Sequence, residues 1–316
     1  MRVLRAKILG FCSGVRRAVD IAWDESFEHC SDEPGSAEPG SDEDRPADAG
    51  RVYTLGPLIH NPKVLKVLGE RGIGILDNNN IPRNAINSTV IIRAHGVSPD
   101  VEEKFSKQGM RILDATCPHV KESQNKALNY AKKRYKVFLA GEKEHGEITG
   151  IYGYAEAGAT SSCIVVGDPI EAEEMAAEVF FEDQKAKTVL IGQTTFSAAE
   201  YRAMEIGIRK FFPDLVVLNT ICTATAKRQK ALKDLCRKVD AVIIAGGKES
   251  SNTRRLLALA QKLGKPAWLV EAAEDLPPEI KRYNTVGISA GASAPDNLVD
   301  EIENALIAFS ETLSAE

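Results

Sequence analysis

Three times along the chain an apolar run gives way to a polar junction and then to an amphipathic stretch. The segments AKILGFCSGVRRAV, RILDATCPHVKESQNKAL and VVLNTICTATAKRQKAL each read as a strand, a tight turn and a helix. Each junction carries a cysteine, and Cys12, Cys117 and Cys222 follow one another at intervals of 105 residues. A second pattern recurs in VYTLGPLIHN, VFLAGEKEHG and VIIAGGKESS, where a glycine ends a strand and a polar residue comes four positions later. The pairs are Gly56/His60, Gly141/His145 and Gly246/Ser250. A third recurs in VIIRAHGVSPD, VLIGQTTFSAAE and VGISAGASAPD, each a strand, a polar or glycine-rich turn and a helix start. Ser98, Ser197 and either Ser293 or Asp296 suit the N-cap there.

Cysteine and glycine are 24 residues apart in the second and third copies but 44 in the first. The difference matches SDEPGSAEPGSDEDRPADAG, residues 31–50, which is acidic, rich in Pro, Gly and Ser, and unable to bury a core. It is expected to be an exposed insertion. The remainder predicts an α/β fold: a trefoil of three similar βα domains, 1–116, 117–221 and 222–316. Their mainly parallel sheets would surround a pseudo-three-fold axis. Ligand sites in such sheets lie beyond the carboxyl ends of the strands, where all these turns fall. Closure about the axis would bring the three cysteines together among His, Thr, Ser and Asn.

Composition narrows the function. The 316 residues carry a net charge of −5, with 43% hydrophobic residues. That balance argues against nucleic acid or an anionic membrane as the main partner. No apolar run reaches the roughly 18 residues of a spanning helix, and the N-terminus lacks a signal-peptide pattern. A soluble, cytoplasmic protein with reduced thiols is expected.

Three convergent thiolates suit a [4Fe–4S] cluster, one per chain, in which one iron lacks a protein ligand. Such an open iron can bind substrate as a Lewis acid and the cluster can pass electrons. Zinc held by three cysteines and one histidine is the alternative metal reading, though its usual short spacings are missing. Cys30, Cys163 and Cys236 fall outside the repeat and read as fillers. His60, His95, Ser250, Asn252 and Ser293 offer donors suited to a phosphate or diphosphate, several near helix starts. GGKESS lacks the earlier glycine of a P-loop, and no GxGxxG occurs. Glu147 in EHGE is the candidate proton donor, and Thr194 in GQTTF could relay the proton or orient a hydroxyl.

GFCSGVRRAV, IHN, RAHGVS, DATCP, EHGE, GQTTFS, GGKESSNTRRL and SAGASAPD occur in one order along nearly the whole chain. In these residues the sequence resembles the 4-hydroxy-3-methylbut-2-enyl diphosphate reductase family. The resemblance implies a trefoil around an iron–sulfur cluster held by Cys12, Cys117 and Cys222. It implies reductive dehydroxylation of the allylic diphosphate to isopentenyl and dimethylallyl diphosphates, the last step of the methylerythritol phosphate route. It further implies that His60, His95, Ser250, Ser251, Asn252 and Ser293 hold the diphosphate, while His145, Glu147 and Thr194 serve the hydroxyl end. Reduced ferredoxin or flavodoxin is the implied electron donor.

Besides the insertion, two departures stand out. The family stretch that often reads GHxxHPE is GEKEHGE here, with Glu142 for the first His and Gly146 for Pro. The turn often written CYAT is CTAT, with Thr223 for an aromatic residue. Two rivals remain open: a hydro-lyase with a similar open-iron cluster, and a cluster-based redox sensor. The first would turn over without a reductant, and the second would need an output surface such as a basic DNA-binding helix, which the sequence does not make evident.

Overall fold

The computed structural model describes residues 1–30, 51–77, 88–160 and 162–312. The stretch expected to form the acidic insertion, 31–50, and the side chain of Cys30 lie outside the described residues. The chain begins with β1 (Arg2–Arg5) and α1 (Ser13–Cys30). A first sheet contains β2 (Val52–Leu55), β3 (Gly74–Leu76), β4 (Thr89–Ile92) and β5 (Arg111–Asp114), with α2 (Pro62–Glu70) and α3 (Pro99–Lys107) between strands. After α4 (Pro118–Lys132) come β6 (Lys136–Ala140), α5 (Gly146–Gly158), β7 (Cys163–Val166), α6 (Pro169–Glu182), β8 (Thr188–Gly192), α7 (Ala198–Arg209) and β9 (Val216–Val217). The last third holds α8 (Thr223–Cys236), β10 (Ala241–Ala245), α9 (Ser251–Lys262), β11 (Ala267–Val270), β12 (Thr285–Ala290) and α10 (Asp296–Thr312).

The strands form three four-stranded sheets ordered β3-β2-β4-β5, β7-β6-β8-β9 and β11-β10-β12-β1. Every pairing in them is parallel. The inner strands are apolar without alternation because helices cover both faces. Val137, Phe138, Leu139 and Ala140 are wholly buried, as are Ala241 through Ala245. Burying each large side chain of this kind stabilises the fold by roughly 1.5–3 kcal/mol. Separate apolar clusters lie on the two faces of each sheet; Phe138 and Leu190 face one side of the second sheet, Val137 and Leu139 the other.

One strand departs from the division 1–116, 117–221 and 222–316. β1 pairs with β12 in register Arg2↔Thr285 to Arg5↔Ile288, so it completes the third sheet and not the first. The reason lies in the repeat. β5 is the edge strand that runs into Cys117, and β9 is the edge strand that runs into Cys222. The strand that runs into Cys12 must therefore close the remaining sheet, and the two ends of the chain meet there. Among the described residues no helix is long and apolar enough to cross a membrane.

Candidate active site

The three cysteine junctions are built alike. The backbone N–H of Cys12 donates to Ala292 O at 3.2 Å, that of Cys117 to Ala94 O at 3.0 Å, and that of Cys222 to Thr194 O at 2.9 Å. Each cysteine carbonyl then accepts the opening bond of α1, α4 or α8, from Arg16, Lys121 and Ala226. The glycines of the second repeat are matched as well. Gly56, Gly141 and Gly246 donate to Leu76, Val166 and Val270, the last residues of β3, β7 and β11. Equivalent turns of three sheets thus point toward one place.

That place is a cavity, about 730 Å³ with the open solvent at its mouth included, lined by Cys12, Cys117 and Cys222, and by His60, His95, His145, Glu147, Thr194, Ser250, Ser251, Asn252 and Ser293. Every site residue expected from the sequence lies on its wall. Cys163 and Cys236 are buried elsewhere, in β7 and at the end of α8.

The three described cysteines of the repeat are free thiols. The Cys117 sulfur lies so close to Gly14 that a Cβ there would come within 2.5 Å of it. The Val15 N–H donates to Cys12 Sγ at 3.4 Å. Burial pushes the Cys117 thiol up, and the neighbouring Cys12 and Cys222 sulfurs push the same way against donation from His119 and Val120 N–H. Arg228, buried, stands near Cys12 and Cys222 and donates to Gly10 O at 2.5 Å. Sulfur donors that repel one another form a set that suits a metal–sulfur core, which would relieve that repulsion, while N–H groups and Arg228 offset the negative charge of the thiolates.

On the same cavity wall His60, His95 and His145 form a ring triangle with centroids 4.8, 5.0 and 6.0 Å apart. Their nearest nitrogens lie within 4.8 Å of one another, close enough for one ion to touch all three. Burial lowers the pKa of each, and that of His145 falls to about 4. Arg93 adds to this effect on all three. His145 is the N-cap of α5, and its Nδ1 accepts the Glu147 N–H at 3.1 Å. Its proton in the neutral form therefore sits on Nε2. Neutral imidazoles with N–H donors suit an anion, and a cation behind them disfavours a metal ion at this end.

Arg93 was not expected from the sequence. Its guanidinium lies where a Cβ on Gly56 would approach Nη1 to 2.9 Å and one on Gly146 would approach Nη2 to 2.5 Å. Its Nε is buried without a hydrogen-bond partner, and among the described residues no acid pairs with it. Gly146 replaces the more usual proline, and the missing side chain is the room Arg93 occupies. Asn252 Nδ2 is also buried and unpaired on the cavity wall. An amide donor left unmade costs about 1–3 kcal/mol, which an acceptor oxygen in the cavity would relieve.

Glu147, 1% exposed, is tied to both groups: its N–H donates to His145 Nδ1, and its carboxylate is held by Thr194, whose carbonyl accepts the Cys222 N–H. Its Oε1 accepts the Thr194 N–H at 2.6 Å and its Oε2 the Thr194 hydroxyl at 2.9 Å. Burial nevertheless raises its pKa to about 7, the two Thr194 donors only tempering the rise.

Polar contacts across units fix the remaining residues. Asn61 caps α2 by accepting the Val64 N–H, and its Nδ2 donates to Ser293 O at 3.0 Å. Ser293 Oγ donates to His60 O at 3.2 Å. Ser293 therefore does not cap α10, and Asp296, its other candidate, is the first helical residue. Ser197 caps α7 and Ser250 caps α9 through their hydroxyls, and Ser98 is the N-cap of α3 by position but makes no side-chain capping bond. Ser251 Oγ donates to Glu142 Oε1 at 2.5 Å and receives Gln193 Nε2 at 3.3 Å. Glu142 also binds Arg254 at 2.6 Å and Arg255 at 3.3 Å. The departure at Glu142 thus ties the second unit to the start of α9. Asn61 and Gln193 lie within the IHN and GQTTF segments but were not expected as site residues, and their partners arise from folding.

A family model described as LytB protein matches residues 40–307. The chain is 41% identical over 311 residues to 4-hydroxy-3-methylbut-2-enyl diphosphate reductase of Treponema denticola, covering 97% of this chain and 99% of that protein. The Aquifex aeolicus protein of the same name is 35% identical over 303 residues, covering 96% and 94%. The solved structure of the E-1-hydroxy-2-methyl-but-2-enyl-4-diphosphate reductase from Plasmodium falciparum superposes with a TM-score of 0.81 at 25% identity, covering 96% of this chain and 87% of that one. A second, described as (E)-4-hydroxy-3-methyl-but-2-enyl diphosphate reductase, the terminal enzyme of the non-mevalonate pathway, gives 0.65 at 35% identity, covering 98% and 100%.

Proposed function

The chain belongs to the LytB protein family, and from that membership and its cavity we infer that it reduces 4-hydroxy-3-methylbut-2-enyl diphosphate to isopentenyl and dimethylallyl diphosphates. The allylic C–O bond breaks, a C–H bond forms, and water leaves after uptake of two electrons and two protons. The observation that carries this reading is one cavity whose wall brings together three sulfurs, three imidazoles, the donors at the start of α9 and the buried carboxyl of Glu147.

Cys12, Cys117 and Cys222 would hold a [4Fe–4S] cluster with one iron free of protein ligands. When bound, that group supplies Lewis-acid binding of the substrate hydroxyl and passage of single electrons. The protein's own residues do the rest. Neutral His60 and His95, the hydroxyls of Ser250 and Ser293 and the Asn252 amide hold the diphosphate by donation. Ser251 joins them only by releasing Glu142, whose charge Arg254 and Arg255 keep paired. Arg93 adds a fixed positive potential behind the imidazoles. His145 Nε2–H and Thr194 orient the hydroxyl end. With a pKa near 7 Glu147 holds a proton at neutral pH and can part with it. A cytoplasmic setting would keep the thiols reduced. Electrons would arrive from reduced ferredoxin or flavodoxin.

The test is turnover of the allylic diphosphate under anaerobic conditions, with and without reduced methyl viologen. Both products, formed only with the reductant, are expected. Dehydration without a reductant would replace this reading with that of a hydro-lyase.

A further inference from the structure

The electrons must cross the protein surface, and one face is built for a charged visitor. Arg2 and Lys7 flank β1, the edge strand of the third sheet, and Lys227, Lys230 and Lys238 lie on or just beyond α8 beside it. All five are exposed, and none of them forms an ion pair with a described residue. The acid in the groove, Asp234, is matched by Arg237 at 3.1 Å, while Arg5 is taken up by Asp300 and Glu303. A surplus of positive charge therefore remains on a chain whose net charge is −5. The corresponding edge strand of the first sheet, β5, has no such surplus, since Arg111 pairs with Glu25 and Asp114 with Lys121.

The groove also lies near the sulfurs. Cys222 is the N-cap of α8, so Lys227 follows it by about 7.5 Å of helical rise and Lys230 by about 12 Å. Lys7 precedes Cys12 by five residues, about 18 Å at most. Arg228, next to Lys227, ties α8 to the Cys12 segment through Gly10 O. Arg228 lines the cavity while its neighbour Lys227 lines the groove, so consecutive residues of α8 serve the two. Ile8, 39% exposed, adds an apolar contact point at its edge.

From this charge and placement we propose that the groove between β1 and α8 is the docking surface for a small acidic one-electron carrier protein. The inference rests on the reductase reading. Two successive encounters would each deliver one electron, the carrier leaving oxidised, to make up the pair that the C–O cleavage consumes. Steering between opposite charges accelerates such encounters by about 10–1,000-fold and fades with salt.

The test uses the cluster-loaded protein, a plant-type [2Fe–2S] ferredoxin, and the variant Lys227→Glu/Lys230→Glu/Lys238→Glu. At low ionic strength the variant should lose at least tenfold in kcat/KM for reduced ferredoxin and at least tenfold in ferredoxin affinity by titration. Its turnover with reduced methyl viologen should stay within twofold of the parent, and its ferredoxin rate should vary little with salt. Equal ferredoxin affinity in parent and variant would overturn the proposal. So would a loss confined to binding of anionic vesicles or duplex DNA. A parent inactive even with methyl viologen would refute the reductase reading instead, while the ferredoxin titration would still decide for or against the groove.

Discussion

Replacing Glu147 by Gln removes the buried carboxyl from the cavity wall. In the unfolded chain its carboxyl titrates near 4.5, and in the fold burial lifts it to about 7. Below about pH 4.5 both states hold the proton, and the site costs nothing. Between 4.5 and 7 the folded state keeps a proton that the unfolded chain has released, so stability falls as pH rises. Above 7 the loss levels off. At 1.36 kcal/mol per unit the total is about 3 kcal/mol. Gln cannot ionise, and its Oε1 can still accept the Thr194 N–H. The stability of Glu147→Gln relative to the parent should therefore rise by about 3 kcal/mol between pH 4.5 and 8. Urea unfolding of the metal-free proteins across that range reads this directly. The variant should also lose about 10²–10⁴-fold in turnover while retaining iron, because a proton donor is gone. Stability curves that run parallel with pH would refute the burial argument, and full activity would remove Glu147 from proton delivery.

Three other outcomes follow from the same geometry. Gly14→Ala should lower iron and sulfide content several-fold, since the new Cβ would meet the Cys117 sulfur at 2.5 Å, and unchanged iron content would contradict that contact. Single Ser substitutions at Cys12, Cys117 or Cys222 should abolish cluster retention, whereas Cys163→Ser should leave it intact; equal effects at all four would refute the ligand assignment. Arg93→Met should leave the metal-free protein at least as stable, because it removes a partly desolvated charge that no described acid pairs with. It should also weaken inorganic pyrophosphate binding by tenfold or more in a calorimetric titration, and unchanged affinity would deny Arg93 any part in holding the anion.

Much of this was readable before folding. The even cysteine spacing and the apolar runs VII, VFLA, LIG and IIA marked inner parallel strands and their turns, because burial on both faces erases alternation. The cavity wall was readable for the same reason, as each candidate stood at the carboxyl end of a strand. The place of β1 was not, because pairing between residues 2–5 and 285–288 depends on closure of the whole ring. Nor was the partner of Ser251, which lies 109 positions away at Glu142. Arg93 reads as an ordinary charged residue beside RAHGVS, and only the absence of two side chains, at Gly56 and Gly146, reveals where it goes. Ser293 suited a helix cap by type, yet its hydroxyl turns to His60 O in another unit.

The convergence of Cys12, Cys117 and Cys222 on an inorganic core is tested most directly by anaerobic iron and sulfide analysis joined to spectroscopy of the cluster with and without the allylic diphosphate. The account predicts four irons and four sulfides per chain and a spectrum that changes when the substrate is added. A protein free of iron after anaerobic reconstitution, or one whose cluster spectrum ignores the substrate, would contradict it.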